Sequence, residues 1–137
     1  MKRETTMAMQ KTILFLEDEV EYLGALSSLL REQGYAVIET SKGVDALAEI
    51  GKHTPDMILA DIKLTGDDNG FDFFEQVRKM EKCKGVPFIF LTAYNNLEAQ
   101  VYAKKHGASD YITKPFDFEY LIARIHQLVP PQAPPVS

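Results

Sequence analysis

Pro55-Asp56-Met57-Ile58-Leu59-Ala60-Asp61 is a short apolar run that ends in a carboxylate. A continuous apolar run of strand length reads as a strand buried on both faces, the pattern of a parallel sheet. Asp61 then stands at the C-terminal tip of that strand, where open α/β sheets place their ligands. A carboxylate there can be a metal ligand, a nucleophile or a turn residue. The other residues brought to the same edge decide among these.

The same pattern recurs on either side. Lys11-Thr12-Ile13-Leu14-Phe15-Leu16 is a second apolar run, and it stops at Glu17-Asp18-Glu19. Tyr35 to Thr40 is a shorter one. Val86 to Leu91 ends at Thr92, with Pro87 tolerated near its start, and Ser109 to Thr113 ends at Lys114-Pro115. Between the runs the period changes to that of a helix. Val20, Leu23, Leu26, Leu29 and Leu30 share a face before Gly34 closes the segment. Val44, Leu47 and Ile50 lie on the inner side of a helix that Ser41 or Lys42 opens and that Gly51 and Pro55 punctuate. Phe71, Phe74, Val77 and Met80 mark a third helix after the polar loop Lys63 to Gly70.

The segment Leu97 to His106 is less apolar, with Leu97, Val101 and Tyr102 expected inward and Gly107 as its end. Phe118, Leu121, Ile122, Ile125, Leu128 and Val129 define a last helix, with Asp117 as its N-cap. Five strands alternating with five helices give a (βα)5 chain with a mostly parallel sheet covered on both faces. Right-handed crossovers leave few topologies. The expected one is a flavodoxin-like, doubly wound α/β fold of strand order 2-1-3-4-5, which sets strands 1 and 3 side by side at the switch point.

The chain has 137 residues, enough for one domain with a real core. Apolar residues at 45% and charged residues at 26% are ordinary for a globular protein and point neither to disorder nor to a membrane span. A net charge of −5, without a Lys/Arg cluster, argues against direct nucleic-acid binding. No apolar run approaches the roughly 18 residues of a transmembrane helix, and no signal-peptide pattern follows Lys2 and Arg3. The expected location is the cytoplasm. Cys83 is the single cysteine, which excludes an internal disulfide; it is expected to be a partly buried, inert thiol. Residues 1–10 read as a disordered leader, 11–129 as the folded domain, and the proline-rich 130–137 as a tail or the start of a linker. His53, His106 and His126 lack ligand spacing and are expected at the surface.

Under this topology strand 1 delivers Glu17 and Asp18 to one edge, strand 3 Asp61, strand 4 Thr92 and strand 5 Lys114. Three carboxylates held together repel one another, and a divalent cation is the usual way to neutralise them. Oxygen donors without a nearby His or Cys favour magnesium over zinc. A hydroxyl and an ammonium beside them suit the oxygens of a phosphoryl group. Singly, each residue has a plainer explanation: the acidic run Glu17-Asp18-Glu19 could serve the first helix's dipole, Asp61 a turn, and Lys114 the solvent. One such group per strand end, in order, is hard to reach by accident.

Leu14-Phe15-Leu16-Glu17-Asp18-Glu19, Asp56 to Ile62, Phe90-Leu91-Thr92-Ala93 and Tyr111-Ile112-Thr113-Lys114-Pro115-Phe116 together resemble the successive motifs of the receiver domain of two-component response regulators. The likeness runs from about Lys11 to Val129. It implies that Asp61 accepts a phosphoryl group from a phosphohistidine on a sensor histidine kinase or a histidine phosphotransfer protein. It also implies magnesium bound directly by Asp18 and Asp61, through water by Glu17, and by the backbone carbonyl of Lys63. Lys114 would pair with the phosphoryl oxygens and Thr92 would move to bond one of them.

As Thr92 moves, Tyr111 would turn from exposed to buried and change the surface of helix 4, strand 5 and helix 5, to be read by a downstream protein or a second copy of the chain. Lys63 and Tyr94, two residues beyond Asp61 and Thr92, would flank the route of attacking water. The resemblance further implies a cis Lys114–Pro115 bond. Departures from the family pattern are Glu17 where aspartate is commoner, Thr65 where many members have proline, and a loop after Asp61 that is one residue longer than usual. Two other readings stand beside this one: an interaction module of the same shape that works without phosphorylation, and a phosphatase with an aspartyl-phosphate intermediate. The latter normally places its nucleophile at the end of the first strand rather than the third.

Overall fold

The computed structural model describes residues 10–132, so the expected leader apart from Gln10, and the end of the expected tail, lie outside the described residues. Five strands, β1 (Thr12–Leu16), β2 (Ala36–Thr40), β3 (Met57–Ala60), β4 (Phe88–Thr92) and β5 (Asp110–Thr113), form one parallel sheet of order β2-β1-β3-β4-β5. They alternate with α1 (Val20–Glu32), α2 (Gly43–Lys52), α3 (Gly70–Lys79), α4 (Leu97–Lys105) and α5 (Phe118–Leu128). This is the expected flavodoxin-like arrangement. In register, Leu16 pairs with Ala60 and Ala60 with Phe90, while Thr92 pairs with Thr113, so the tips of β1, β3, β4 and β5 meet at one edge.

The continuous apolar strands work because side chains alternate between two cores. Leu14, Leu16, Ile58, Ala60, Phe88 and Phe90 point to the face that α2, α3 and α4 cover, where Phe73, Phe74 and Val77 pack. Ile13, Phe15, Met57, Leu59, Ile89 and Leu91 point to the other face, under α1 and α5. Positive φ at Gly34 (99°) and Gly107 (103°) lets the chain turn out of α1 and α4 in the left-handed region that glycine tolerates. Asp117, as expected, caps α5, its side chain accepting from the Glu119 N–H at 3.0 Å.

Several expected inward positions are turned outward. Val20 and Val44, in the first turns of α1 and α2, are exposed, and so is Leu29. In α4, Leu97 and Val101 are exposed, Tyr102 is half-buried with its ring edge-on to Phe71 at 5.6 Å, and Ala103 is the buried residue. Gly51 does not end α2, which runs on to Lys52. Cys83 is fully buried rather than partly so, at the end of a short 3₁₀ turn Glu81–Cys83. His53 and His106 are exposed as expected. His126 is not a simple surface residue: it is half-buried beside Tyr35, with ring centroids 6.1 Å apart, and its Nε2 is buried without a partner among the described residues.

Candidate functional site

Each functional side chain sits at or just past the end of a strand, where the backbone leaves the ladder. Glu17 follows β1 and is pinned to β2 by its N–H, which donates to the Thr40 carbonyl at 3.0 Å. Asp61 follows β3 and donates its N–H to the Leu16 carbonyl at 3.0 Å. Thr92 ends β4, and its carbonyl accepts from the Lys114 N–H at 2.8 Å. These backbone bonds tie the tip of β1 to those of β2 and β3, and the tip of β4 to that of β5. One carboxylate oxygen from each of Glu17, Asp18 and Asp61 lies within 4.8 Å of the others. A cleft of about 380 Å³ holds the three together with Lys63, Thr92, Tyr94 and Lys114, so seven of the residues named from the sequence line one space.

The ammonium of Lys114 is shared. It lies 2.6 Å from Glu17 Oε1 and 3.2 Å from Asp61 Oδ2. The second oxygen of Glu17 accepts from the Glu19 N–H at 3.1 Å, and Asp61 Oδ1 from the Ile62 N–H at 2.6 Å. Asp18 Oδ2 accepts from the Thr65 hydroxyl at 2.5 Å. Thr65, seen in the sequence as a departure from the family pattern, therefore orients a carboxylate of the cluster.

Charge is unevenly satisfied here. Burial pushes the Glu17 carboxyl above the usual carboxylate range, further than the Lys114 bond and the Glu19 N–H draw it down, and the neighbouring Asp61 adds to the rise. Burial also works against the Lys114 ammonium, but the bond from Glu17 and the charges of Asp61 and Glu17 hold its pKa above the ordinary lysine value. The two directions describe one environment, with more negative charge than a single lysine neutralises. Glu17 and Asp61 are buried and Asp18 is half-buried, and all three donors are hard oxygens. That donor set fits a divalent cation of the oxygen-loving class.

Thr92 is fully buried, and its Oγ1 accepts from the Tyr94 N–H at 3.1 Å. The Tyr94 carbonyl in turn accepts from the Tyr111 hydroxyl. Tyr111 is 6% exposed, so its ring stands on the buried side of the rotation expected for it; burial pushes its hydroxyl pKa up to about 12. Lys63 Nζ lies over the Tyr94 ring, 4.7 Å from its centroid, which places the two expected modulators against each other. The Lys114–Pro115 bond is cis, as the resemblance implies.

Three positions escaped the sequence reading. A Cβ on Gly70 would lie 1.9 Å from the Asp61 carbonyl oxygen and 2.8 Å from Ile62 Cα, so the first residue of α3 touches the backbone of the cluster and has to be glycine. Asp68 reaches across to accept the Gly43 N–H at 2.7 Å, supplying the side-chain acceptor that Lys42 at the start of α2 lacks. Tyr22 stacks on Lys114, with Nζ 4.1 Å from the ring centroid. Gly70 was legible as a loop glycine; the other two contacts join distant segments, and no local pattern announces them.

Comparison with known proteins agrees with this geometry. Residues 13–126 match the response regulator receiver domain family. The chain is 32% identical over 117 residues to the protein PilH of Pseudomonas aeruginosa, covering 85% of this chain and 96% of PilH. It is 34% identical over 109 residues to the transcriptional regulatory protein ZraR of Salmonella typhimurium, covering 80% of this chain and 24% of ZraR. The chain thus spans about a quarter of the length of the ZraR regulators it matches. A crystal structure of a putative response regulator from Chloroflexus aurantiacus shares the fold with a TM-score of 0.79 and 31% identity, over 86% of this chain and 96% of that one. Membership implies a cognate histidine kinase, and a signalling module rather than a classical enzyme. An ordered set of strand-end residues, a family match over most of the length and a shared fold lead to one conclusion: the chain belongs to the response regulator receiver domains.

Proposed function

We propose that Asp61 is the phosphoacceptor of this receiver domain, taking a phosphoryl group from a histidine kinase or a histidine phosphotransfer protein. One observation carries the reading: three carboxylates within 4.8 Å, one of them also 3.2 Å from a lysine ammonium, in a cleft open to a donor. Phosphoryl transfer needs in-line positioning and charge neutralisation more than covalent help from the protein. Asp18 and Asp61, with Glu17 and the Lys63 carbonyl, are the groups we assign to magnesium, which when bound supplies the positive charge that Lys114 alone does not. Asp61 Oδ2 attacks phosphorus, the bond to the donor imidazole breaks, and its electron pair stays with that nitrogen. Lys114 then holds the transferred oxygens.

Thr92 is positioned to exchange its bond with the Tyr94 N–H for one to a phosphoryl oxygen. Because the Tyr94 carbonyl also receives the Tyr111 hydroxyl, that exchange reaches the surface formed by α4, β5 and α5, which we assign to a downstream protein or to a second copy of the chain on phosphorylation. Lys63 and Tyr94 are assigned to control of water access. No described helix is long and apolar enough to cross a membrane, and the cytoplasm is the compartment proposed.

The test is phosphorylation by a small acyl phosphate with magnesium, read by intact mass. One phosphoryl group is expected on the parent chain and none on Asp61→Asn. An unmodified parent, or equal labelling of the variant, would overturn the assignment.

A further inference from the structure

Tyr22 lies in the first turn of α1 and belongs to none of the strand tips that build the cluster. Its ring is half-buried, with Lys114 Nζ 4.1 Å from the centroid, and it meets Phe116 edge-on with centroids 6.3 Å apart at 69°. An ammonium has three donors. Two of those of Lys114 go to Glu17 and Asp61, and the ring face covers the remaining side.

Tyr22 and Lys114 also line an apolar cavity of about 550 Å³ together with Leu26, Leu29, Phe116 and Phe118. Without the ring, one side of the Lys114 ammonium would lose its wall, and the flexible stem could shift the charge within the cleft between Glu17 and Asp61. The Tyr22 hydroxyl is buried and has no hydrogen-bond partner among the described residues, so the ring, not the oxygen, makes the useful contact.

From this we infer that Tyr22 is a positioning residue for the phosphoryl-transfer site: its π face closes the open side of the Lys114 ammonium and holds it in register with Asp61. The inference rests on the proposed role of Asp61. A cation over an aromatic face with little water around it is among the stronger contacts of its kind. Losing it lets Lys114 sample unproductive positions.

The test compares the parent chain with Tyr22→Leu and Tyr22→Phe, using a small acyl phosphate and magnesium, at a temperature where melting curves show all three folded. Tyr22→Leu is expected to phosphorylate roughly five- to tenfold more slowly, and Tyr22→Phe within about twofold of the parent. In a Lys114→Met background, Tyr22→Leu should bring no further loss, since its effect acts through the ammonium. NMR of the Lys114 side chain gives a readout free of chemistry: its terminal methylene protons should be shifted upfield by the ring in the parent and in Tyr22→Phe, and return to ordinary positions in Tyr22→Leu. Equal rates for parent and Tyr22→Leu, a Phe variant as slow as the Leu variant, or a full Tyr22→Leu effect without Lys114 would each overturn the inference while leaving Asp61 as acceptor. A parent chain that never labels removes the acceptor reading and this one with it.

Discussion

Replacing the proposed phosphoacceptor should make the metal-free protein more stable. Asp61→Asn keeps the shape of the side chain and an oxygen that can accept from the Ile62 N–H, but removes one negative charge. In the parent, Asp61 lies within 4.8 Å of an oxygen of both Glu17 and Asp18. At an effective dielectric of about 20, each such pair repels by about 3.5 kcal/mol. The attraction to Lys114 at 3.2 Å is about 5 kcal/mol on the same scale. Repulsion wins by about 2 kcal/mol, and the variant should melt roughly 6–10 °C higher in a chelator at low salt. Lys114 keeps Glu17 as its partner at 2.6 Å, so the substitution strands no buried cation.

Magnesium should then narrow the gap. At a hundredfold excess over its dissociation constant it adds about 2.7 kcal/mol to a chain that binds it, and Asp61→Asn should gain less. Thermal or urea unfolding with chelator, with magnesium, and with added potassium chloride measures each part, the salt shrinking the repulsive difference. A variant no more stable than its parent in chelator, or one that gains as much from magnesium, would refute the electrostatic account of the cluster.

Gly70→Ala forces a methyl group into the Asp61 carbonyl and should cost roughly 3 kcal/mol or more in urea unfolding; a loss under about 1 kcal/mol would show that the α3 approach is not fixed. Thr65→Val removes the hydroxyl that holds Asp18 and should weaken magnesium binding roughly tenfold by calorimetry, with little change in melting temperature because the site is exposed; unchanged affinity would separate Thr65 from the site. Asp110 is held below its ordinary 3.8: burial works against its charge, but Arg124 at 2.8 Å and the Tyr111 N–H outweigh it. A carboxylate lower in the folded state than in the unfolded one adds stability above the unfolded pKa and loses it as pH falls through the folded value. The acid limb of stability below about pH 4 should therefore flatten in Asp110→Asn, and an unaltered limb would count against the pair.

What could be read from the sequence was what depends on local order. Ile13 to Leu16 and Met57 to Ala60 are apolar at every position, which a sheet buried on both faces requires, and the polar residue that ends each run falls at the sheet edge by construction. That gave the topology and brought Glu17, Asp18, Asp61, Thr92 and Lys114 together. Inward faces were less legible where size and hydrophobicity part company: α4 turns Ala103 inward and leaves Leu97 and Val101 exposed. The Thr65 bond to Asp18, the Asp68 bond to α2 and the Tyr22 ring over Lys114 join positions 25 or more residues apart, and nothing in residue spacing encodes such partners.

The thin anchoring of α4 bears on which element the proposed site can move. α1 buries Leu23, Leu26 and Leu30, each worth about 1.5–3 kcal/mol of apolar burial, so displacing it would cost more than any one contact at Asp61 returns. α4 has Ala103 as its buried residue, sets Tyr102 edge-on against Phe71 with centroids 5.6 Å apart and its hydroxyl on Glu75, and is capped by Asn96, which accepts from the Ala99 N–H at 2.9 Å. A hydrogen bond from Thr92 to a charged phosphoryl oxygen is worth about 1.5–3 kcal/mol. That weighs more against a helix with one buried alanine, a half-buried tyrosine and a cap than against one that buries three leucines. The Tyr94 segment, bonded to both Thr92 and Tyr111, leads directly into that weakly held helix. The energetics therefore favour the α4 side of the molecule as the face that responds to phosphorylation, with α1 remaining as the fixed support of Lys114.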